Sequence, residues 1–190
     1  AMEMVSAERG PMNAALGAPY PVEPRLLEAL RMARDRSDAR ITALLALYRA
    51  PLSADGVSTF THIQRIRHDL LRARAAADAL IATPRAQVPG HRVLEAVEGM
   101  VALIPELQKA MGDNVGVLMR NEADAPNLLV LALLASDLRE QAGLLGSTFT
   151  PALAKHRRLT DADQFRMERV LGRIDQLRDL LEARLASRPD

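Results

Sequence analysis

A chain of 190 residues, of which 48% are hydrophobic and 26% charged, is long enough to bury the core of one folded domain. The formal net charge of +1 argues against a nucleic-acid partner, because a phosphate backbone is normally met by a marked basic excess on one face. Cysteine is absent, which excludes thiol catalysis, disulfide bonds and cysteine-ligated metals.

Helix-breaking residues divide the chain into six segments, and each segment has the pattern of a helix. The breaks are proline and glycine clusters or short polar runs at 17–24, 51–56, 84–90, 121–126 and 156–160. Between them, apolar residues recur at spacings of three and four, and no stretch has the alternation of a strand. We therefore predict an all-α fold: a single elongated antiparallel bundle of about six helices, one short and five long, over residues 1–190.

The first segment carries a charged residue in its apolar stripe. The stripe consists of Val5, Arg9, Met12 and Leu16. A buried arginine must find a carboxylate, a backbone carbonyl or a bound anion, and Asn13 lies one turn further along the same side. Two interpretations stay open. In the first, a helix kinked at its proline lets Arg9 reach the surface or pair with an acid of another helix; in the second, a polar pocket captures a small anionic or polar ligand.

The second, third and fourth segments carry regular stripes that predict core positions of bundle helices. In the second and third segments these positions are Leu26, Leu30, Ala33, Ser37, Ile41, Leu44 and Tyr48, then Ile63, Ile66, Leu70, Ala73, Ala77 and Leu80. In the fourth they are Val93, Val97, Met100, Ile104, Leu107, Met111, Val115 and Leu118. Pro105 interrupts the fourth segment, and we expect it to bend this helix.

The fifth segment, from about Asn127, is apolar nearly all round between Leu128 and Ala135, which predicts a helix through the centre of the bundle. In the last segment, Thr160 or Asp161 is a suitable N-terminal cap. The core positions that follow the cap are Met167, Val170, Ile174, Leu177, Leu181 and Leu185.

Residues 136–147 resemble residues 6–17 in their Arg, Glu and Gly and in their Leu-Gly ending. If the two stretches are copies of one repeat, their helices would meet and place Arg9 beside Arg139, as in an anion site. We accordingly predict Arg9, Asn13 and Arg139 as ligand-binding residues.

Catalytic patterns are not found among the four histidines, which are His62, His68, His91 and His156. None has a glutamate three residues before it, as di-iron bundles require, and zinc-hydrolase and phosphate-binding motifs are missing. We therefore expect no enzymatic activity, no cofactor and no metal.

Helical patterning runs from Met2 to Leu185, close to both ends of the chain. An even number of antiparallel helices places both ends at one end of the bundle. A domain looped out between two membrane spans requires this topology, so we expect a fragment that lies between two transmembrane helices.

Three stretches resemble a known class of domain: Ser-Ala-Glu-Arg-Gly-Pro-x-Asn-Ala-Ala-Leu-Gly at 6–17, Leu-Arg-Glu-x-Ala-Gly-x-Leu-Gly-Ser at 138–147, and Gly-Arg-Ile-Asp-x-Leu at 172–177. They are similar to helical periplasmic sensor domains of proteobacterial receptors, namely chemotaxis transducers, diguanylate cyclases and sensor kinases. Glu-Arg-Gly is similar to the nitrate- and nitrite-sensing type, whose arginine would correspond to Arg9. The chain departs from that type at Ala7 and Pro11.

The resemblance implies a periplasmic signal-sensing domain, the ectodomain of an inner-membrane protein, with its own transmembrane helices and a cytoplasmic output domain outside this chain. It also implies a homodimer that forms through the first and last helices. Ligand or packing changes would pass through those same helices. The alternative is a cytoplasmic helical scaffold or adaptor that binds protein partners.

Overall fold

The computed structural model describes residues 1–49, 54–121, 126–154 and 156–186, and all regular structure in these ranges is helical. The α-helices are α1 (Met2–Gly17), α2 (Pro24–Leu47), α3 (Ala54–Ile81), α4 (Gly90–Val101), α5 (Leu103–Asn121), α6 (Pro126–Ala154) and α7 (Asp161–Ala186). A short 3-10 turn, Arg85–Gln87, precedes α4. The all-α prediction is confirmed.

The six predicted segments correspond to these helices, with the fourth divided into α4 and α5. The division falls at Ala102, whose backbone N–H bonds to the carbonyl of Glu98. Pro105 explains the position, because a proline ring clashes with the carbonyl four residues earlier, and α4 ends at that residue, Val101. The predicted breaks at 51–56 and 121–126 include residues 51–53 and 122–125, which lie outside the described residues. Residues 54–56, which were predicted as part of a break, instead begin α3.

Helices α2 and α3 run antiparallel, as predicted for neighbouring segments of the chain. Arg34 of α2 pairs with Asp78 of α3 at 2.7 Å, and Asp38, one turn later in α2, pairs with Arg74, one turn earlier in α3, at 2.8 Å. At 1.5 Å per residue, the helices of 24 to 29 residues are about 36–44 Å long. These lengths make the bundle elongated.

Helices α1 and α6 run parallel to each other. Arg139, in the middle of α6, donates to the carbonyl of Glu3 at 2.7 Å, and Asn13 donates to Ser147 further along α6 at 2.9 Å. Helix α7 returns antiparallel to α6, and Arg173 in the middle of α7 pairs with Asp137 at 3.4 Å. The start of α1 is therefore level with the middle of α7, and the C-terminal half of α7 extends past it toward the end of the bundle that the N-terminus of α1 faces.

Helix α1 occupies the centre of the bundle, and this corrects the prediction for α6. Helix α1 contacts each of α2 to α6, and half of its sixteen residues are buried. By contrast, none of residues 128–135 of α6 is buried, and Leu128 is 54% exposed. The register explains this exposure, because Glu3 lies opposite Arg139, so residues 128–135 lie beyond the first turn of α1 and do not pack on it.

A reciprocal hydrogen-bonded cap begins α7. The hydroxyl of Thr160 accepts from the backbone N–H of Asp163, whose carboxylate in turn accepts from the backbone N–H of Thr160 at 3.0 Å. Arg157 also donates to this carboxylate at 2.7 Å. The hydrogen bond from Arg157, together with those from Thr160, lowers the pKa of Asp163 from 3.8 to about 2. The prediction that Thr160 could cap this helix is confirmed.

This cap makes stability depend on pH in the acid range. Because the pKa of Asp163 is lower in the folded than in the unfolded chain, the stabilisation is present above about pH 4 and is lost as the pH falls towards about 2. We expect the Asp163→Asn variant to unfold more readily at neutral pH and to show a smaller loss of stability on acidification. Urea titrations at several pH values measure both effects, with Asp161→Asn in the same first turn as the control. An unchanged acid dependence in Asp163→Asn would contradict the assignment.

Two leucines of the predicted stripe in α7 differ in burial and make a matched pair. Leu177 is 1% exposed, whereas Leu185 is 56% exposed. We expect Leu177→Ala to lower the free energy of unfolding by about 2–5 kcal/mol through the cavity that it leaves. Leu185→Ala should change it by no more than about 0.5 kcal/mol. Urea unfolding, monitored by the helical circular dichroism signal, measures the change in the free energy of unfolding for both variants. Equal losses of free energy would show that α7 packs in a different orientation.

Candidate functional site

The candidate site lies on α1, where two adjacent residues of opposite charge are both buried. Glu8 has no exposed surface and Arg9 is 2% exposed. Consecutive helical residues point about 100° apart, so these two side chains face different neighbours. Each charge therefore needs its own partner on a different helix.

Glu8 faces α2 and α3. Arg74 of α3 forms a bidentate ion pair with it, with both N–O distances at 2.8 Å, and its remaining terminal nitrogen bonds to Asp38 of α2. Arg34 of α2 lies 3.6 Å from the same Glu8 carboxylate. Burial lowers the pKa of Arg74, but the hydrogen bonds to Glu8 and Asp38 outweigh this effect and raise it above its ordinary value. This cluster joins three helices.

Arg9 faces α6, on another side of α1. Its Nη2 atom lies 2.5 Å from a carboxylate oxygen of Glu140 and 3.0 Å from the hydroxyl of Ser6, and its Nε donates to the Ser6 carbonyl. Burial lowers the pKa of Arg9, and the Glu140 carboxylate opposes this shift. An arginine keeps its charge at neutral pH in any case. The interpretation in which Arg9 pairs with an acid of another helix is the one that the structure bears out.

Gly143 gives the Arg9 guanidinium room to lie across α6. A Cβ atom at residue 143 would stand 2.8 Å from Nη2 of Arg9, which is closer than real Cβ contacts allow. One turn further along α6, Ser147 accepts the hydrogen bond from Asn13 and donates its own hydrogen to the Gly143 carbonyl at 3.2 Å. Ser6, Arg9 and Asn13 of α1 thus face the three α6 residues in a polar seam, which comprises Ser6, Arg9, Asn13, Glu140, Gly143 and Ser147.

The three predicted ligand-binding residues all lie at the junction of α1 and α6, but they do not converge on one point. Arg9 and Asn13 belong to the seam. Arg139 instead donates to the Glu3 carbonyl, and the neighbour that reaches Arg9 is Glu140. Arg139 is still near enough for its charge to lower the pKa of Arg9.

Three buried atoms of the seam have no hydrogen-bond partner among the described residues: Nη1 of Arg9, Oε2 of Glu140 and Oδ1 of Asn13. They comprise one donor group and two acceptors. A simple anion could satisfy only the arginine, whose charge Glu140 already balances. A neutral or zwitterionic molecule with both donors and acceptors matches the seam better.

Sequence reasoning singled out Arg9 and Asn13 but missed Glu8, Glu140, Gly143 and Ser147. The signal for Glu140 was available in the adjacent Arg139 and Glu140, a charge pair that residues 6–17 also contain, in the reverse order, as Glu8 and Arg9. Glu8 gave no signal of its own, because it stands beside the apolar stripe of α1. Its burial follows only from the central place of that helix.

No protein-family model matches the chain, and neither does any curated protein or solved structure. In the part of the chain that the structure describes, no three His, Asp or Glu side chains converge as metal ligands. No helix in that part is long and apolar enough to cross a membrane.

Two glycines of α6 test the packing of Arg9. We expect Gly143→Ala to lower the free energy of unfolding by about 1–3 kcal/mol, because the new methyl group displaces the guanidinium from Glu140 and Ser6. Gly146→Ala is the control, since a Cβ there meets nothing within 4 Å. It should stabilise α6 by up to about 1 kcal/mol, because alanine favours the helix. Equal responses in urea unfolding would exclude a close approach of Arg9 to α6.

Proposed function

We propose that this chain is the extracytoplasmic signal-sensing domain of a bacterial membrane receptor. The observation that carries the proposal is the place of α1: its N-terminus faces the end of the bundle where α7 finishes, and it is held at its middle by buried charges on two sides. A helix so placed can carry a change inside the bundle to the membrane end.

The polar seam supports a mechanism for that transmission. Small translations or rotations of helices are a common signalling movement, and a signal requires two discrete arrangements of the same contacts. The unpaired Nη1 of Arg9 and Oε2 of Glu140 allow this ion pair to form in a second geometry. The bidentate contact of Glu8 with Arg74 would hold α1 on its other side while Arg9 changes partners.

Arg9, Asn13 and Arg139 are the residues through which a small polar ligand would act in this proposal. A ligand that bridges Arg9 and Glu140 would favour one arrangement of the pair over the other and so shift the population of receptor states. The donor and acceptor balance of the seam favours a polar ligand with hydrogen atoms to donate over an anion.

The proposed receptor works as a homodimer through its first and last helices. On α1 only a narrow strip stays exposed, which comprises Glu3, Ala7, Gly10 and Ala14. At the same end, α7 exposes Leu180 and Leu185, and α6 exposes Leu128. These leucines equally favour the second candidate function, a cytoplasmic scaffold or adaptor that docks protein partners, because apolar surface of this kind marks interaction sites.

Labelling of single cysteines separates the two candidates, because this chain has none of its own. In the full-length protein, Met32→Cys, at a position 50% exposed on α2, should react with a membrane-impermeant maleimide in intact cells. Met100→Cys, at a fully buried position, is the control and should react only after denaturation. The unsubstituted protein supplies the background. Reaction of Met32→Cys only after lysis would place the domain in the cytoplasm and exclude the receptor proposal.

A further inference from the structure

A cavity of about 350 Å³ opens between α4, α6 and α7, apart from the ligand residues predicted from the sequence. Its walls are mainly apolar and consist of Leu94, Val97, Val101, Leu144 and Pro151. This volume lies near the lower end of the range for small-molecule sites, about 300–1,000 Å³, and such sites combine apolar walls with a few polar groups. The cavity therefore suits a small ligand with an apolar body.

Two opposite charges border this cavity on different helices. Glu98 projects from α4 and Arg166 from α7, and both side chains line the opening. Neither forms an ion pair or a side-chain hydrogen bond within the part of the chain that the structure describes. Most other charged side chains near the bundle surface are paired, for example Arg31 with Glu28.

The remaining polar groups of the cavity are two hydroxyls of α6. Ser147 donates its hydrogen to the carbonyl of Gly143, and Thr148 donates its own to the carbonyl of Leu144. Both hydroxyls therefore already use their hydrogens, so towards a ligand they can act only as acceptors, which favours a ligand that donates hydrogen bonds.

We propose that this cavity binds an apolar α-amino acid as its zwitterion. A carboxylate without an ammonium would pair with Arg166 but leave Glu98 without a partner, and an amine without a carboxylate would pair with Glu98 but leave Arg166 without one. A zwitterion matches both charges, with its carboxylate on the guanidinium and its ammonium on Glu98 and the hydroxyls. The apolar side chain then fills the space between the three helices.

The site adjoins the polar seam through one residue. Ser147 lines the cavity and is also the acceptor of the hydrogen bond from Asn13 of α1. An ammonium group on Ser147 would share this oxygen with Asn13, and its positive charge would repel the N–H group that Asn13 donates, which weakens the contact between α1 and α6. Binding of an amino acid in this cavity does not depend on the proposed receptor role. The effect of that binding on α1 rests on the receptor role.

Isothermal titration calorimetry of the purified domain with L-leucine tests the proposal. We expect saturable binding of L-leucine, with isocaproate, which lacks the ammonium, and isoamylamine, which lacks the carboxylate, weaker by about tenfold or more. Arg166→Gln and Glu98→Gln should each weaken leucine binding by a similar factor. Arg169→Gln, on an exposed residue of the same helix that does not line the cavity, is the matched control and should leave binding unchanged.

Leu144→Phe should abolish binding by filling the cavity while the circular dichroism spectrum stays unchanged. Equal affinity for leucine and its two singly charged analogues would overturn the zwitterion assignment. Absence of binding for L-leucine, L-valine, L-isoleucine and L-methionine would overturn the site. Cysteine labelling in cells is independent of these titrations, so failure of the site and failure of the receptor proposal are distinguishable.

Discussion

The rest of the structure depends on the burial of two adjacent opposite charges in the central helix. An isolated charge inside a protein is very costly, so Glu8 and Arg9 must each be met by an opposite charge in good geometry. Because they point about 100° apart, the partners come from two different sides of α1: Arg74 of α3 and Glu140 of α6. The two ion pairs fix both the rotation of α1 about its axis and its position along the bundle, since sliding by one turn would separate both pairs.

This constraint accounts for several features that have no explanation in hydrophobic packing alone. It accounts for the parallel register of α1 and α6, in which Arg9 is level with Glu140 and Asn13 with Ser147. It also explains a glycine at 143, where a larger residue would displace the guanidinium. Replacement of a buried ion pair by apolar residues is often neutral or stabilising, so we infer that these two pairs contribute more to the specificity of packing than to stability. In a bundle rich in Ala and Leu, the apolar stripes could pack in several registers. The two ion pairs restrict α1 to one of these registers.

The sequence was sufficient to predict the helices and much of their order. Periodicity predicts the segments, and proline chemistry explains where they end, including the division at Ala102 ahead of Pro105. Local pattern also shows that Arg9 needs a partner. It cannot show which partner, because that depends on the register between α1 and α6, and Arg9 and Glu140 are 131 positions apart (140 − 9) and related only by packing. The same limit explains the error over residues 128–135: their hydropathy indicates burial, but only the register shows that α1 does not extend beside them.

The polar seam and the three-helix cavity meet at Ser147, and this junction relates binding to movement. A ligand can shift an equilibrium only by as much as its affinity differs between the two states. In the proposed mechanism Ser147 supplies such a difference, because a ligand ammonium on its oxygen would repel the N–H group that Asn13 donates to the same atom. Oδ1 of Asn13 and Nη1 of Arg9 have no partner among the described residues, so both remain available for other hydrogen bonds when this contact weakens. We infer that a change at this one oxygen would alter how α1 is held against α6, while the pair of Glu8 with Arg74 would keep α1 in the bundle.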